Sequence, residues 1–120
     1  MPINPYGETI ADHARHPRNY GSLESPDVRH EDVNPFCGDR VRIELRVRDG
    51  NIIDVRFQGD LCVIAKAAGS LVTEMVKGMS FATVQRIGEQ QMLDALGAPI
   101  QPARRKCALL PLQVLQAATR

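Results

Sequence analysis

Three widely spaced cysteines are the residues of this chain best suited to chemistry. Cys37 lies in an Asn-Pro-Phe-Cys-Gly-Asp segment, Cys62 opens an apolar run, and Cys107 follows three basic residues. Cys62 follows Cys37 by 25 residues and Cys107 follows Cys62 by 45 residues, so the chain contains no CxxC pair. Gly38 lets the chain bend, so that Cys37 and Asp39 can face one centre. Three thiolates and this carboxylate would form a four-coordinate site suited to zinc or iron.

Two of these cysteines are predicted to lie at helix N-termini. Cys62 and Cys107 each precede a segment with helical periodicity, where the helix dipole and unpaired backbone N–H groups favour a thiolate. Arg105 and Lys106 beside Cys107 act in the same direction. The thiolate is the form that binds metal and that accepts or transfers sulfur. For Cys62 taken alone, a role as a small buried hydrophobic residue remains an alternative.

The composition limits the classes of protein to consider. The chain has 120 residues, of which 43% are hydrophobic, and a formal net charge of +1. This length predicts one domain over residues 1–120, and the near-zero charge argues against nucleic acid or a membrane surface as the main partner. No apolar run reaches membrane-spanning length and no targeting signal is evident, so a cytoplasmic location is expected. An odd number of cysteines in a reducing compartment favours metal binding or reactive thiols over disulfides.

An antiparallel β-hairpin is the clearest local structural signal. Charged residues between positions 40 and 48 alternate with apolar ones, which are Val41, Ile43, Leu45 and Val47. This period of two predicts a strand with one buried face and one face in water. Asp49 and Gly50 follow, and both residue types accept the positive φ of a two-residue turn. The returning strand over residues 51–58 is predicted to place Ile53, Val55 and Phe57 on one face.

Helices are predicted on both sides of the hairpin. The first covers residues 6–16, because the residue before Pro17 avoids the helical region, and residues 17–36 are predicted as a loop with room for a short edge strand. A helix over residues 62–77 ends at Gly78, and shorter helices cover residues 80–87 and 90–96. The last helix covers residues 107–119. Pro111 is expected near its first turn, because a proline deeper inside would break the helix.

An ordered series of short motifs covers nearly the whole chain. These are Asp12-His13, Pro17-Arg18-Asn19-Tyr20-Gly21, Asn34-Pro35-Phe36-Cys37-Gly38-Asp39, Phe57-Gln58-Gly59-Asp60-Leu61-Cys62, residues 71–78, and Arg105-Lys106-Cys107-Ala108. At these residues the chain resembles the U-type iron–sulfur cluster scaffold family, which comprises IscU, SufU and the N-terminal domain of NifU. The resemblance implies an α+β fold with a three-stranded antiparallel sheet packed by about five helices. It also implies that Cys37, Cys62 and Cys107 are cluster ligands, with Asp39 beside them.

The chain departs from both main branches of this family. IscU-type members have a histidine immediately before the third cysteine, where this chain has Lys106, which resembles SufU-type members. SufU-type chains, however, carry an insertion between the second and third cysteines for which 45 residues leave no room. Residues 100–105 also lack the Leu-Pro-Pro-Val-Lys element with which IscU-type scaffolds engage a chaperone. A lysine is protonated at neutral pH, so Lys106 is expected to support the Cys107 thiolate rather than to bind metal.

The resemblance implies a scaffold function rather than an enzymatic one. The protein would accept persulfide sulfur from a cysteine desulfurase, bind iron or a transient [2Fe–2S] cluster, and pass it to recipient apo-proteins. Cys107 and Cys37 are the two candidate sulfur acceptors, and the protein is expected to be a monomer or weak dimer. The alternative within the family is a SufU-like, zinc-dependent sulfur acceptor.

Two alternatives from other classes remain open at this point. A structural zinc domain would have four permanent ligands and would lose its fold on chelation. A thiol hydrolase or transferase would need a base such as His13 or His30 near one nucleophilic cysteine, and would tolerate loss of the other two.

Overall fold

The β-hairpin lies at the centre of the fold in a computed structural model that describes residues 7–35 and 38–120. The helices of the described residues are α1 (Glu8–Arg15), α2 (Val63–Val76), α3 (Phe81–Gln85), α4 (Glu89–Ala95) and α5 (Arg105–Ala118). The strands are β1 (Val28–Val33), β2 (Arg40–Arg48) and β3 (Asn51–Asp60), and a 3-10 turn over Pro102–Arg104 precedes α5. The predicted α+β fold with a three-stranded antiparallel sheet is confirmed.

The sheet has the order β1-β2-β3, and both neighbouring pairs are antiparallel. Asp49 and Gly50 connect β2 to β3 with φ values of 53° and 76°, the left-handed conformation that a two-residue hairpin turn requires. At the opposite end of the hairpin, Arg40 pairs with Asp60. The predicted hairpin and its turn are therefore confirmed.

A β-bulge changes which residues of β3 point into the core. The register between β2 and β3 shifts after Arg46, so that Ile53 of β3 has no paired residue in β2. Val55 and Phe57 are buried as predicted, but Ile53 is 48% exposed and Ile52 is fully buried in its place. The prediction that Ile53 shares their buried face is wrong, because the extra residue of a bulge reverses the inward and outward alternation beyond it.

The segment predicted as a loop contains a strand and is bonded to the sheet. Its last part forms β1, which is the short edge strand for which the predicted loop has room. Its first part runs beside β3, where the Gly21 N–H donates to the Phe57 carbonyl and the Phe57 N–H donates to the Asn19 carbonyl, each over 2.9 Å. These bonds continue the sheet hydrogen bonding beyond β3 and hold residues 19–21 in place.

The same segment buries one charged residue of the outer face of β2. Glu44 is only 2% exposed, although the alternating pattern predicts a carboxylate in water. Its two carboxylate oxygens accept hydrogen bonds from the Leu23 N–H and from the Arg29 Nε, each over 2.9 Å. A buried carboxylate needs such partners, and the covering segment supplies both.

The hydrophobic core lies between the sheet and the helices α2 and α5, with α1 packed on α2 and α4 on α5. Its largest fully buried apolar side chains come from β2, β3, α1, α5 and from α4 with its C-cap residue, and are Phe57, Ile10, Ile43, Leu45, Ile52, Met92, Leu96, Leu112 and Leu115. Gly69 of α2 faces the Phe57 ring, where it allows the helix to approach the sheet closely. In the part of the chain that the structure describes, no helix has the length and apolar character needed to cross a membrane.

The helices differ from their predicted bounds mainly at their ends. Tyr6, the predicted start of the first helix, lies outside the described residues, and α1 ends at Arg15. α5 begins at Arg105, two residues earlier than predicted, so Pro111 lies inside the helix and beyond its first turn. The predicted position of this proline is therefore wrong. Pro111 has no N–H to offer to the Cys107 carbonyl, yet α5 continues because its apolar face is packed in the core.

We expect that Gly69→Ala destabilises the fold. An added Cβ would lie 2.5 Å from the Phe57 ring, which is fully buried and cannot move aside. Overpacking of this kind costs about 1–3 kcal/mol in the free energy of unfolding, more than the roughly 1 kcal/mol that alanine gains over glycine in a helix. Urea denaturation of parent and variant measures the difference.

Gly88→Ala is the matched control for this prediction. A Cβ at Gly88 has no neighbour within 4 Å and φ is −84°, so the change should cost only the less favourable N-cap that alanine gives α4, about 0.5–1 kcal/mol. Equal unfolding free energies for the two variants would contradict the close approach of α2 to β3.

Candidate metal centre

The hairpin brings the first two candidate ligands together. Asp39 immediately precedes β2, and Cys62 follows the end of β3 by two residues. Because Arg40 pairs with Asp60, the residues just outside these two strand ends are neighbours. Gly59 permits this pairing, since its φ is +155° and an added Cβ would lie 1.8 Å from the Arg40 carbonyl oxygen.

The Asp39 carboxylate is buried, and only one of its two oxygens has a hydrogen-bond partner among the described residues. Asp39 is 5% exposed, and its Oδ1 accepts a hydrogen bond of 3.1 Å from the Cys62 N–H. Its Oδ2 is also buried but has no hydrogen-bond partner among the described residues. A buried carboxylate oxygen without a partner is energetically costly, and a bound cation is one of the groups that would remove this cost.

The two described thiols lie at the starts of two helices, as predicted. Cys62 is the N-cap of α2, and its Sγ accepts a hydrogen bond of 3.4 Å from the Ala65 N–H. Cys107 lies in the first turn of α5, which packs against α2. Cys62 is partly exposed, whereas Cys107 is 2% exposed. The contact between the two helices thus brings both thiols to the end of the hairpin.

Asp39, Cys62 and Cys107 converge on one point. One carboxylate oxygen and the two Sγ atoms all lie within 4.8 Å of one another, a group able to hold a metal ion. Two sulfur donors and one oxygen donor suit a thiophilic metal such as zinc or iron. Cys37 lies outside the described residues, so its place as a further ligand stays a prediction.

Arg104 is a member of the site that the sequence pattern does not reveal. Its guanidinium interacts with the side chains of Cys62 and Cys107, and these interactions raise the pKa of Arg104 above its usual range. The pattern points instead to Arg105 and Lys106, which adjoin Cys107 in the chain. The spacing of Arg104, three residues before Cys107, is the available signal, because residues i and i+3 share one helix face.

The remaining predicted residues lie around the site or away from it. Lys106 is exposed in the first turn of α5, and its supporting role stays a prediction. His13 lies between α1 and α2, where its Nδ1 is 2.7 Å from Ser70 Oγ and burial lowers the pKa of its imidazole. Neither His13 nor His30 belongs to the described group that converges on the thiols.

Comparison with known proteins identifies the family. The family model for the NifU-like N-terminal domain matches residues 5–120. The chain belongs to this family. It is 37% identical over 120 residues to the iron–sulfur cluster assembly scaffold protein IscU of Escherichia coli K12, covering 94% of this chain and 90% of that protein. It is 34% identical over 113 residues to the scaffold protein IscU 1 of Archaeoglobus fulgidus, covering 94% and 73% of the two chains.

A solved structure agrees with this family assignment. The fold superposes on a SufU protein of Fervidobacterium islandicum AW-1, a scaffold assigned to the SUF system, with a TM-score of 0.84 and 25% identity. The superposition covers 96% of each chain. This NifU-like domain is thus similar to proteins from both the IscU and SufU branches.

We expect that Arg104→Ala weakens metal retention in this NifU-like domain. Its guanidinium contacts both thiols, and removing such a supporting group typically lowers metal affinity about 10–100-fold. Competition with a chromophoric chelator measures the affinity of the zinc-loaded protein. Arg104→Lys keeps the positive charge but loses the planar guanidinium with its several N–H donors, so the metal affinity of this variant should be intermediate.

Arg105→Ala is the matched control, because Arg105 is the exposed neighbour of Arg104. Its metal affinity should stay near that of the parent. If Arg104→Ala and Arg105→Ala have the same affinity, general charge near α5 matters rather than the contact with the thiols.

Proposed function

We propose that this protein is a scaffold on which a [2Fe–2S] cluster is assembled from iron and persulfide sulfur and then passed to recipient apo-proteins. The observation that carries the proposal is the convergence of the Asp39 carboxylate with the Cys62 and Cys107 thiols within 4.8 Å. Membership of the NifU-like family and the scaffold relatives support it. A cysteine desulfurase as sulfur donor and a cytoplasmic location are parts of the same proposal.

Sulfur reaches the scaffold by thiol–persulfide exchange. A thiolate of this chain attacks the outer sulfur of the desulfurase persulfide, a new S–S bond forms, and the desulfurase cysteine leaves as a thiolate. This transfer needs no net electrons. Conversion of the transferred sulfur to sulfide takes two electrons per atom from a reductant outside this chain. The protein is loaded with its cargo and returns to its starting form when the cargo leaves, which is the role of a scaffold rather than of an enzyme.

The donor set suits a cargo that must be held and then released. Cys62 and Cys107, with the predicted ligand Cys37, supply soft sulfur donors that hold iron well. Asp39 supplies a harder oxygen donor, which makes it the position where an acceptor ligand enters most easily. Arg104 offsets the negative charge that several thiolates and a carboxylate bring to one metal centre.

Anaerobic reconstitution tests the proposed function. The parent protein, incubated with ferric iron, sulfide and a thiol, should bind iron and sulfide in equal amounts and develop the visible absorption of a [2Fe–2S] cluster. Cys62→Ser and Cys107→Ser should each lower the iron content sharply, because each removes one of the converging donors. A parent that binds neither iron nor zinc, or serine variants that keep full occupancy, would contradict the proposal. Zinc retention without cluster formation would favour the SufU-like alternative.

Asp39→Ala is expected to retain the cluster and to slow its transfer to an apo-ferredoxin, because the variant lacks the labile oxygen donor. Transfer is followed by the circular dichroism of the acceptor. Asp60→Ala is the matched control, since the Asp60 carboxylate is 76% exposed and pairs with Arg40 instead of the thiols. Its transfer rate should equal that of the parent. Faster loss of the cluster from Asp39→Ala than from the parent would contradict the role given to Asp39.

A further inference from the structure

The sheet has one covered edge and one open edge. Beyond β3, the segment of residues 19–21 bonds to Phe57 through backbone groups. Beyond β1, the part of the chain that the structure describes provides no further strand. An open edge presents unpaired N–H and C=O groups that can pair with a strand of another molecule. The outer edge of β1 is therefore a surface on which a second chain can extend the sheet.

Alternate residues of β1 direct their backbone groups toward this open edge. The Asn34 N–H donates over 2.8 Å to the carbonyl of the residue that precedes β2. Because hydrogen-bonding direction alternates along a strand, Asp32 also faces β2, whereas Val33, Glu31 and Arg29 face outward. The Val33 N–H agrees with this direction, since it donates over 2.8 Å to the Asp32 carboxylate and not to β2. The backbone groups of Arg29 and Glu31 therefore face the open edge.

The same two residues carry opposite charges that alternate with those of β2. Arg29 lies opposite Glu44, and its Nε donates to that carboxylate over 2.9 Å. Glu31 lies opposite Arg42, whose Nε is 3.5 Å from its carboxylate. Both β1 side chains are exposed. Each of the two charges thus has an opposite charge on its β2 side, and water on the side of the open edge.

We infer that β1 pairs with β1 of a second copy of this chain, antiparallel and with the two-fold axis at His30. In this register, Arg29 of each copy lies opposite Glu31 of the other, and opposite charges on directly facing residues stabilise an antiparallel pair. Across four neighbouring strands the charges then alternate in sign, in the order Glu44, Arg29, Glu31 and Arg42. The strand is therefore complementary to itself in charge.

The charges of β1 also select this register over its neighbours. Facing residues must both direct their backbone groups toward the partner, so the allowed registers differ by slips of two residues. A slip in one direction places Glu31 opposite Glu31 of the second copy, and a slip in the other direction places Arg29 opposite Arg29. Like charges that face each other directly destabilise a sheet. Charged edge strands usually prevent pairing between molecules, but the charges here exclude only the mismatched registers.

The pairing would form one six-stranded sheet and leave both metal centres open. Arg29 and Glu31 exchange hydrogen bonds in two symmetric pairs, about four bonds in all. A contact this short predicts a weak dimer that dissociates on dilution. Each metal centre lies at the end of the sheet where Val33 pairs with Arg40. Because the copies are antiparallel, the two centres lie at opposite ends, about 20 Å apart along the strands, and cannot share one cluster.

Sedimentation velocity of the full-length protein over a range of concentrations tests the dimer. We expect the parent to shift from monomer toward dimer as its concentration rises. Glu31→Lys places a lysine opposite Arg29 of the second copy, so the Kd of the dimer should rise about tenfold or more. The Glu31–Arg42 pair within the chain is exposed and contributes little to stability, and urea denaturation confirms that the variant is folded.

Asp94→Lys is the matched control for this charge reversal. Asp94 is exposed near the end of α4, which packs against α5 and α2, so its change of charge is the same but lies away from β1. The Kd of this variant should equal that of the parent. A parent that stays monomeric up to about 1 mM, the weak limit of specific association, would overturn the inference. Equal Kd values for Glu31→Lys and Asp94→Lys would overturn it as well.

Amide hydrogen exchange of the parent protein locates the interface without any variant. The N–H groups of Arg29 and Glu31 face outward, so they should exchange quickly in dilute solution and become protected as the concentration rises. The His30 N–H faces β2 in monomer and dimer alike, so its exchange should not depend on concentration. A dimer that forms without protecting Arg29 and Glu31 uses another surface, and this result would refute pairing through β1. The proposed function does not depend on the outcome, because the metal centre lies outside the interface.

Discussion

The antiparallel register between β2 and β3 is the constraint on which the site depends. It places Arg40 opposite Asp60, and thereby holds the Asp39 carboxylate against the Cys62 N–H. A slip of two residues would move these groups apart by about 7 Å, and a slip of one would turn the buried face of β2 into solvent. The turn at Asp49 and the apolar face of the strand fix the register. The ligands at one end of the hairpin are therefore positioned by the turn at the other end.

The second constraint is the packing of α5 against α2, which carries the Cys107 thiol to the same point. The site thus combines three chain segments whose relative positions are set by the packing of the hydrophobic core. The Asp39 Oδ2 is buried without a hydrogen-bond partner among the described residues, and Arg104 interacts with both thiols. The mixed sulfur and oxygen donors of the site allow ligand exchange, which a scaffold needs for release.

Local patterns in the sequence predict the elements of the fold well, because the hairpin, its turn and the main helices depend on residues close in the chain. The predictions are wrong where contacts with distant segments of the chain determine whether a residue is buried or exposed. Ile53 is exposed because a bulge interrupts the strand alternation, and Glu44 is buried because the segment before β1 folds over it. Arg104 reaches the thiols because a 3-10 turn sets its direction at the start of α5. The choice of ligand residue types could be made from the sequence, but their convergence and unequal exposure could not.

X-ray absorption spectroscopy of the zinc-loaded protein tests the central claim most directly, namely that Asp39, Cys62 and Cys107 bind one metal ion together. We predict a coordination shell dominated by sulfur at about 2.3 Å, with an oxygen donor at about 2.0–2.2 Å that is lost or replaced in Asp39→Ala. Cys62→Ser and Cys107→Ser should each reduce the sulfur contribution. A shell made only of nitrogen and oxygen donors, or one that is identical in parent and serine variants, would contradict it.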